Sequence, residues 1–325
     1  MLTNAKIKEI HKLTEKSKAR REAGLFVIEG PRMFVETPLE WIEEIYVTQE
    51  FLDNADSTLP IPGKESMPSG DTHSSGDTHS SDDIHTSGDT HPGADFREAP
   101  TPGTTAPNSA MIGDTASNST SIRASEMITW MNHEIITEEQ MKKLTDTVTP
   151  QGILCIVRQP SYTLDDILSH PGHRLIMILE DIQDPGNLGT IFRTAEGAGA
   201  SGIIMTKGCV DLFNPKVVRS TMGSIYRVPF FVTDDIEGTI NSVKNAKIEV
   251  FAAHLKGEHF YDEIAYKDAA FLIGNEGNGL KNSTAALADT YIKIPMAGKL
   301  ESLNASMAAG ILMYEHNRQM RAGTE

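Results

Sequence analysis

The sequence contains three short segments whose residue types and spacing could bind a ligand. The first is Asp184–Gly189 (DPGNLG), in which Asn187 can cap a helix, and Arg193 follows six residues later. At 3.6 residues per turn, both residues lie near the start of one helix, close to the end of the preceding strand. A plain turn with a helix cap and a surface cation would also explain these residues.

The second segment is Gly274–Gly279 (GNEGNG), which directly follows the apolar residues Phe271–Ile273. Its three glycines let the main chain approach a ligand closely, and Glu276 places a carboxylate among them. The alternative is a flexible turn without a ligand.

The third segment is Ile294–Gly298 (IPMAG), followed by Ser302–Ser306 (SLNAS) at the start of the last predicted helix. Ser302 or Asn304 can cap that helix, whose N-terminal amides suit a carboxylate or a phosphate. An apolar wall for a flat base is provided by Ile294, Met296 and Leu303. Core packing together with a helix cap is the alternative explanation.

Other common chemistries lack support in the sequence. Residues Gly197–Gly202 match G-x-G-x-x-G, but they end a helix and enter a strand, the reverse of the order that a dinucleotide site requires. We therefore interpret Gly197 and Gly199 as a helix stop and a turn, which argues against a nicotinamide oxidoreductase. The absence of phosphate-loop, H-E-x-x-H and C-x-x-C motifs gives no support to zinc or phosphate-loop chemistry, and we expect no metal.

The composition favours a soluble protein of the cytoplasm. Of 325 residues, 29 are Lys or Arg and 45 are Asp or Glu, and the resulting net charge of -16 excludes a uniformly basic nucleic-acid coat but allows a local basic face. Cys155 and Cys209 are too few for a disulfide framework, which favours a reducing compartment. The N-terminus lacks the apolar core of a secretory signal, and the longest aliphatic run, Leu175–Leu179, is too short to span a membrane.

Residues 60–125 differ from the rest of the chain. They are rich in Ser, Thr, Gly, Asp, Pro and His, and the pentapeptide SGDTH occurs three times with one degenerate copy, SDDIH. Three basic against nine acidic residues give this stretch a net charge of -6, which leaves -10 for the rest. It cannot bury enough apolar area to offset its ordering entropy, so we predict a disordered insert. Its His and Asp could hold a divalent metal weakly, although a solvated repeat expansion is the simpler interpretation.

The insert divides a small α/β domain that we predict over residues 1–158. Its predicted helices are Ala5–Ala23, Pro31–Glu36 and Thr137–Leu144, and its predicted strands are Leu25–Glu29, Ile42–Thr48 and Gly152–Val157. Thr137 and Gln140 have the spacing of a capping box. Residues 159–173 are predicted to connect this domain to the next.

From residue 174 to 325, predicted strands and helices alternate. The strands are Leu175–Leu179, Gly202–Thr206, Arg227–Val232, Glu249–His254 and Phe271–Gly274, and the helices are Gly189–Gly197, Pro215–Met222, Ile236–Ala246, Ser283–Leu287 and Ser302–Glu315. Continuously apolar strands indicate a parallel sheet that helices cover on both faces. In such a domain the ligand binds at the carboxyl ends of the strands, where the three segments lie.

Taken together and in this order, the three segments resemble the signature of the TrmH/SpoU branch of the SPOUT RNA methyltransferases. The matching text is LEDIQDPGNLGTIFRTAEGAGASGIIM, FLIGNEGNGL and IKIPMAGKLESLNASMAAGILMYE, and the resemblance covers residues 174–318. The N-terminal KIKEIHKLTEKSKARREAGLFVIEGPRMFVE and the later TPQGILCIVRQP are similar to the substrate-binding domain of that family, which resembles ribosomal protein L30e. The insert is not part of the pattern.

The resemblance implies a parallel sheet whose C-terminal segment is threaded into a trefoil knot, which periodicity alone could not suggest. It also implies a homodimer that binds S-adenosylmethionine in the knot and methylates a ribose 2′-hydroxyl of RNA, with rRNA favoured over tRNA. A different class, a non-catalytic RNA-binding or ribosome-assembly protein of the same fold, is the alternative. The complete set of polar motif residues argues against that class.

Carried over residue by residue, the resemblance assigns catalytic roles to Arg193, Asn187, Glu276, Ser302 and Asn304. It assigns contacts with the methyl donor to Gly274, Ile294, Met296 and Leu303. Arg193 either grips the RNA phosphate beside the target ribose or acts as a base after phosphate-assisted deprotonation. The clamp is favoured because the pKa of arginine exceeds about 12.

RNA affinity requires cations, and the N-terminal segment supplies them. Residues 6–32 contain eight basic and four acidic residues, a net charge of +4 in an otherwise acidic chain. Their position in the presumed substrate domain favours RNA binding, and a solvated helix face is the alternative.

Overall fold

The structure, a computed structural model, describes residues 2–58, 124–145 and 147–322. Its N-terminal part begins with two short helices. Helix α1 (Asn4–Glu15) is capped by Thr3, whose hydroxyl accepts a hydrogen bond from the amide of Lys6 at 3.2 Å. Lys16 has an extended main chain and separates α1 from α2 (Ser17–Ala23). The predicted single helix Ala5–Ala23 is therefore divided in two.

The rest of the N-terminal part surrounds a four-stranded sheet. Its elements are β1 (Leu25–Glu29), α3 (Pro31–Glu36), β2 (Ile42–Thr48), α4 (Gln49–Thr58), α5 (Ala124–Trp130), β3 (His133–Ile136), α6 (Glu138–Leu144) and β4 (Ile153–Arg158). The strand order is β1-β4-β2-β3, in which only the pair β2 and β3 is parallel. The predicted capping box of Thr137 and Gln140 is confirmed. All but the last two residues of the predicted insert 60–125 lie outside the described residues, and those two begin α5.

The C-terminal part is built on a seven-stranded parallel sheet. Its elements are α7 (Leu164–Leu168), β5 (Leu175–Leu179), α8 (Pro185–Ala198), β6 (Gly202–Thr206), α9 (Pro215–Thr221), β7 (Phe230–Thr233), α10 (Ile236–Asn245), β8 (Glu249–Ala253), β9 (His259–Phe260), β10 (Ala269–Ile273), α11 (Asn282–Ala285), β11 (Thr290–Lys293) and α12 (Ala305–Ala322). The order is β7-β6-β5-β10-β8-β11-β9, and every neighbouring pair is parallel. The predicted α/β class is confirmed. The trefoil knot stays a prediction, because strand order does not trace the path of the connecting loops.

The central strands β5 and β10 are buried along their whole length. Because side chains alternate between the two faces of a strand, Met177 packs with α8 and α9, whereas Ile176 and Ile178 pack with α10. Helices thus cover both faces of the sheet, as the continuously apolar strands predicted. Within the described ranges, no helix combines the length and the apolar character that a bilayer crossing requires.

Several predicted boundaries were wrong. The helix predicted to begin at Gly189 begins at Pro185, because proline fits the first helical position, whose N–H needs no partner. The strand predicted over Arg227–Val232 begins only at Phe230, after a single tight turn over Ser224–Tyr226. The last helix begins at Ala305 rather than at Ser302. Strands β3, β9 and β11 were not predicted at all.

Aromatic and apolar contacts join the two sheets. One hydrophobic cluster contains residues from β1 and β4 as well as from β5, α8 and α9. The rings of Phe26 and Phe213 lie 4.9 Å apart, and the hydroxyl of Thr37 donates a hydrogen bond to that of Tyr226 at 2.8 Å. The predicted boundaries 1–158, 159–173 and 174–325 stay predictions, and packing is continuous across them.

A buried ion pair also crosses this junction. Arg20 is only 2% exposed, and its guanidinium contacts the carboxylate of Asp211 at 2.5 Å. The same guanidinium donates to the main-chain oxygens of Leu13 and Thr14 at 2.8 and 2.9 Å. Because a buried charge is tolerated only with such partners, α2 is held in a fixed place against the loop after β6.

Candidate active site

Asn187 lies in the first turn of α8, just beyond the carboxyl end of β5. Asp184 caps this helix, since its carboxylate accepts a hydrogen bond from the main-chain N–H of Asn187 at 2.8 Å. The prediction that Asn187 is the cap is therefore wrong. Although Asn187 is only 8% exposed, its side-chain amide is left to bind groups from other loops.

The segment Gly274–Gly279, which follows β10, is a hydrogen-bonded turn rather than a flexible one. Asn275 and Gly279 exchange main-chain hydrogen bonds at 3.1 and 2.9 Å. The side-chain oxygen of Asn275 also accepts hydrogen bonds from the amides of Gly277 and Asn278, both at 3.0 Å. The turn therefore presents the side chain of Glu276 from a fixed main chain.

Gly274 is required by the closure of this turn. A Cβ atom there would lie 2.2 Å from the amide nitrogen of Leu280, a distance that no side chain could tolerate. We predicted that the glycines of this segment let a ligand approach the main chain. At Gly274 the main chain of Gly279 and Leu280 makes that close approach instead. Contact of Gly274 with a methyl donor stays a prediction.

Glu276 collects hydrogen bonds from the first segment. Its carboxylate accepts one from the side-chain amide of Asn187 and one each from the main-chain N–H groups of Gln183 and Asp184, all at 3.0 Å. Burial raises the pKa of Glu276, but the hydrogen bonds from these donors outweigh it and lower the pKa below its ordinary value. At neutral pH the carboxylate is ionised and committed to positioning, which makes it a poor general base.

Asn304 connects the third segment to the same network. Its side-chain oxygen caps α12 by accepting hydrogen bonds from the N–H and the hydroxyl of Ser306 at 2.9 and 2.7 Å. Its side-chain amide donates to the side-chain oxygen of Asn187 at 2.9 Å. Asn304, Asn187 and Glu276 therefore form one chain of hydrogen bonds across the loops that follow β11, β5 and β10.

Ser302 and Arg193 stand outside that network. Ser302 is exposed and makes no hydrogen bond to the part of the chain that the structure describes, so Asn304 alone caps α12. Arg193 is also exposed, on a different face of α8 from Asn187, since six residues correspond to a rotation of about 240°. It forms no ion pair within the described ranges. Because no carboxylate of a described residue binds the guanidinium of Arg193, its N–H groups are available to an external anion.

The three apolar residues of the third segment are half-buried. They are Ile294, Met296 and Leu303, and Ile294 packs against the main hydrophobic cluster. The main chain of residues 294–303 makes no hydrogen bond with any described residue. Unpaired amides and carbonyls beside apolar side chains suit the edge and the faces of a heteroaromatic base such as a purine.

Sequence reasoning missed the contacts that fix the first two segments relative to each other. The ammonium of Lys281 contacts the carboxylate of Asp181 at 2.6 Å, and the amide of Lys281 donates to the carboxylate of Glu180 at 2.8 Å. The main-chain oxygen of Asp181 accepts a hydrogen bond from the side chain of Asn275 at 2.8 Å. The sequence feature that could have indicated these contacts is the pair of acidic residues, Glu180 and Asp181, directly after the apolar strand β5.

Among the described residues, no group of three or more His, Cys, Asp or Glu side chains is placed to hold a metal ion. The His-rich repeat lies outside the described residues, so its weak metal binding stays untested.

A parallel sheet covered on both faces, with a polar network at the carboxyl ends of its strands, defines an α/β enzyme domain. The model of the SpoU rRNA Methylase family matches residues 174–314, and the model of the MRM3-like substrate binding domain matches residues 4–67. The chain belongs to the SpoU rRNA methylase family and is an RNA methyltransferase. The predicted resemblance is confirmed.

Similar proteins extend this assignment. The 23S rRNA (guanosine(2553)-2′-O)-methyltransferase RlmP of Bacillus subtilis (strain 168) is 31% identical over 191 residues, which cover 58% of this chain and 74% of that relative. The AdoMet-bound rRNA methyltransferase from Sinorhizobium meliloti has a TM-score of 0.66 and 25% identity, with 98% of this chain and 97% of that chain covered. The SpoU methyltransferase AviRb from Streptomyces viridochromogenes, in complex with AdoMet, has a TM-score of 0.70, with 98% and 99% covered, and its 21% identity shows a shared fold.

Proposed function

We propose that the protein transfers the methyl group of S-adenosylmethionine to a ribose 2′-hydroxyl of structured RNA, with ribosomal RNA favoured over transfer RNA. The observation that carries this proposal is the chain of hydrogen bonds through Asn304, Asn187 and Glu276, which joins three loops at one edge of the sheet. The preference for ribosomal RNA is supported by the names of the relatives from B. subtilis and S. meliloti.

The segment 294–303 fits S-adenosylmethionine. Its unpaired main-chain groups would bind the edge of the adenine, with Gly274 contributing from the neighbouring turn. The faces of the adenine would be covered by Ile294, Met296 and Leu303. When bound, the donor supplies a methyl group activated on a sulfonium, so that the new oxygen–carbon bond forms as the carbon–sulfur bond breaks.

The residues of the network align the acceptor hydroxyl. Glu276 is ionised and holds the amide of Asn187, and Asn304 holds the oxygen of the same side chain. Two fixed amides in this position can orient a hydroxyl group and restrict its approach. Ser302, two residues before Asn304 and exposed, would add a hydroxyl to the same edge.

Arg193 acts as a phosphate clamp in this proposal. It is exposed and forms no ion pair with the described residues, so its planar set of donors can bind the phosphate beside the target ribose. As a base it would require phosphate-assisted deprotonation, because a guanidinium is a donor that gives up its proton only with such help. In the clamp role, the hydroxyl proton leaves to the phosphate or to solvent.

We also propose that the protein acts as a homodimer. Met307 and Tyr314 lie seven residues apart on one face of α12 and are 59% and 50% exposed. These two exposed apolar side chains can pack against the same pair on a second copy of the chain. Light scattering at micromolar concentration should give the mass of a dimer, whereas a monomer mass would contradict this part of the proposal. Cytoplasmic location stays a prediction.

The proposed reaction is tested by incubating the protein with S-adenosylmethionine labelled in its methyl group, together with ribosomal RNA or transfer RNA lacking modifications. After digestion to nucleosides, we expect the label in a 2′-O-methylated nucleoside, with more label from ribosomal RNA. A nucleoside labelled on the base would contradict the ribose assignment, and RNA binding without any transfer would favour the non-catalytic alternative.

A further inference from the structure

We infer that the protein binds the phosphate backbone of its RNA substrate along the seam between α8 and α9, through Lys216 and Arg219 of α9 beside Arg193 of α8. We name these three residues the seam cations. The inference rests on the proposed function, because it assigns the surface that guides the RNA towards the proposed site.

The two cations of α9 have no acidic partner within the described ranges. Lys216 is exposed and Arg219 is half-buried, and neither forms an ion pair there. Other cations of the chain are neutralised, as Lys207 is by Asp234 at 2.5 Å. Helix α9 (PKVVRST) contains no acidic residue. In a chain with a net charge of -16, such a local positive surface indicates an external polyanion.

Helix packing places the seam cations along one line. A Cβ atom on Gly189 would lie 2.3 Å from the Cβ of Ser220, so α8 and α9 approach each other as closely as glycine allows. Arg193 lies one turn after Gly189, and Lys216 lies one turn before Ser220. Residues four apart share a helix face. The two segments advance in the same direction, since Gly189 lies against Ser220 and Glu196 accepts a hydrogen bond from the hydroxyl of Ser224 at 2.5 Å. Arg193 and Lys216 therefore lie on opposite sides of this contact, spread along the line between the two helices.

The seam borders the N-terminal part. Arg219 lines a small cavity together with Thr14 of α1 and Met33 of α3, so α9 lies directly against that region. The buried pair of Arg20 and Asp211 fixes this arrangement.

The cavity beside Arg219 also contains an acidic side chain. Glu29 lines the same cavity as Arg219, and its carboxylate accepts a hydrogen bond from the hydroxyl of Thr147 at 2.5 Å. It therefore faces the interior of the junction, while Lys216 and Arg193 face solvent. Structured RNA is recognised largely through its phosphates, and a row of unpaired cations matches that chemistry.

The test compares the double variant K216Q/R219Q with the matched control K247Q. Lys247 is exposed, has no ion pair among the described residues and follows α10, which covers the opposite face of the sheet. The affinity for bulk ribosomal RNA is measured by fluorescence anisotropy over a range of salt concentrations, with S-adenosylmethionine present. We expect binding at least tenfold weaker for the double variant, and a slope of log affinity against log salt that is smaller by about 1.5 to 2. The control should match the unmodified protein.

Two further measurements keep the outcomes distinct. Circular dichroism and donor affinity, both expected to be unchanged, show that the double variant is folded. If it binds RNA with the affinity and salt slope of the unmodified protein, the inference is overturned, even when methyl transfer is observed. If the unmodified protein transfers no methyl group but the double variant still loses RNA affinity, the proposed function is wrong and RNA binding by the seam cations is supported.

Discussion

The side-chain amide of Asn304 donates a hydrogen bond to the side-chain oxygen of Asn187 at 2.9 Å, although 117 residues separate them in the chain. The same Asn304 caps α12, and the same Asn187 donates to Glu276. A single asparagine thus links the start of the last helix to the start of α8. Its two functions can be separated by substitution.

Asn304→Asp should keep the cap but lose the link to Asn187, because a carboxylate accepts hydrogen bonds and donates none. We expect a thermal midpoint close to that of the unmodified protein and methyl transfer at least tenfold slower. Asn304→Ala removes both functions and should also cost about 1 kcal/mol of stability, the usual value of a lost N-cap. Wild-type transfer by Asn304→Asp would show that the link is dispensable.

Glu276→Gln should impair both folding and transfer. The carboxylate accepts three hydrogen bonds, and a glutamine presents an amide to at least one of those donors. We expect a loss of about 1–2 kcal/mol in the free energy of unfolding and a large loss of transfer rate. Denaturant unfolding and single-turnover transfer measure the two effects. Unchanged stability would mean that the carboxylate does not organise the first segment.

The stabilising effect of Glu276 should depend on pH. Its pKa in the folded protein is lowered from the ordinary value of 4.5, so its contribution is complete above pH 4.5 and is lost as the pH falls through the lowered pKa. Because Glu276→Gln cannot titrate, the stability difference between the two proteins should be constant near neutral pH and shrink in acid. A difference that grows as the pH falls would contradict the direction of this shift.

Arg193→Ala should abolish methyl transfer and largely spare donor binding, because Arg193 lies outside the hydrogen-bonded network and far round the helix from Asn187. Calorimetric titration with S-adenosylmethionine separates the two effects. Arg193→Lys, which keeps the charge but loses the planar fork, should retain partial activity. An equal loss of donor affinity and transfer rate would contradict the clamp.

The sequence was sufficient for features that depend on local patterns. The continuously apolar β5 and β10 predicted the buried parallel sheet, and Thr137 with Gln140 predicted a cap that the structure confirms. The position of Asn187, Glu276 and Asn304 at one edge followed from their place after strands or before a helix. Their mutual hydrogen bonds did not, because each depends on loops far apart in sequence.

Other features could not be derived from local patterns. Asp184 and Asn187 are both good helix caps, and Pro185 decides between them by fitting the first helical position. Gly274 suggested room for a ligand, whereas its own loop fills that space. The short strands β9 and β11 lack an apolar run, so their pairing with distant strands is not visible in the sequence.

Deletion of residues 69–91 should leave transfer activity and the thermal midpoint nearly unchanged, because the composition of this stretch predicts no contribution to a core. The deleted residues lie outside the described part of the chain. Differential scanning calorimetry and the transfer assay make the comparison. A large fall in the midpoint would show that the repeat is structural.

The central claim is that three loops form one site for a methyl donor beside an RNA ribose. A crystal structure of the protein with S-adenosylhomocysteine tests it most directly. We predict that the adenine lies against Ile294 and Leu303 with hydrogen bonds to the main chain of residues 294–303, and that the sulfur points towards the edge formed by Asn187 and Asn304. Density for the ligand at any other surface, with that main chain still unpaired, would contradict the account.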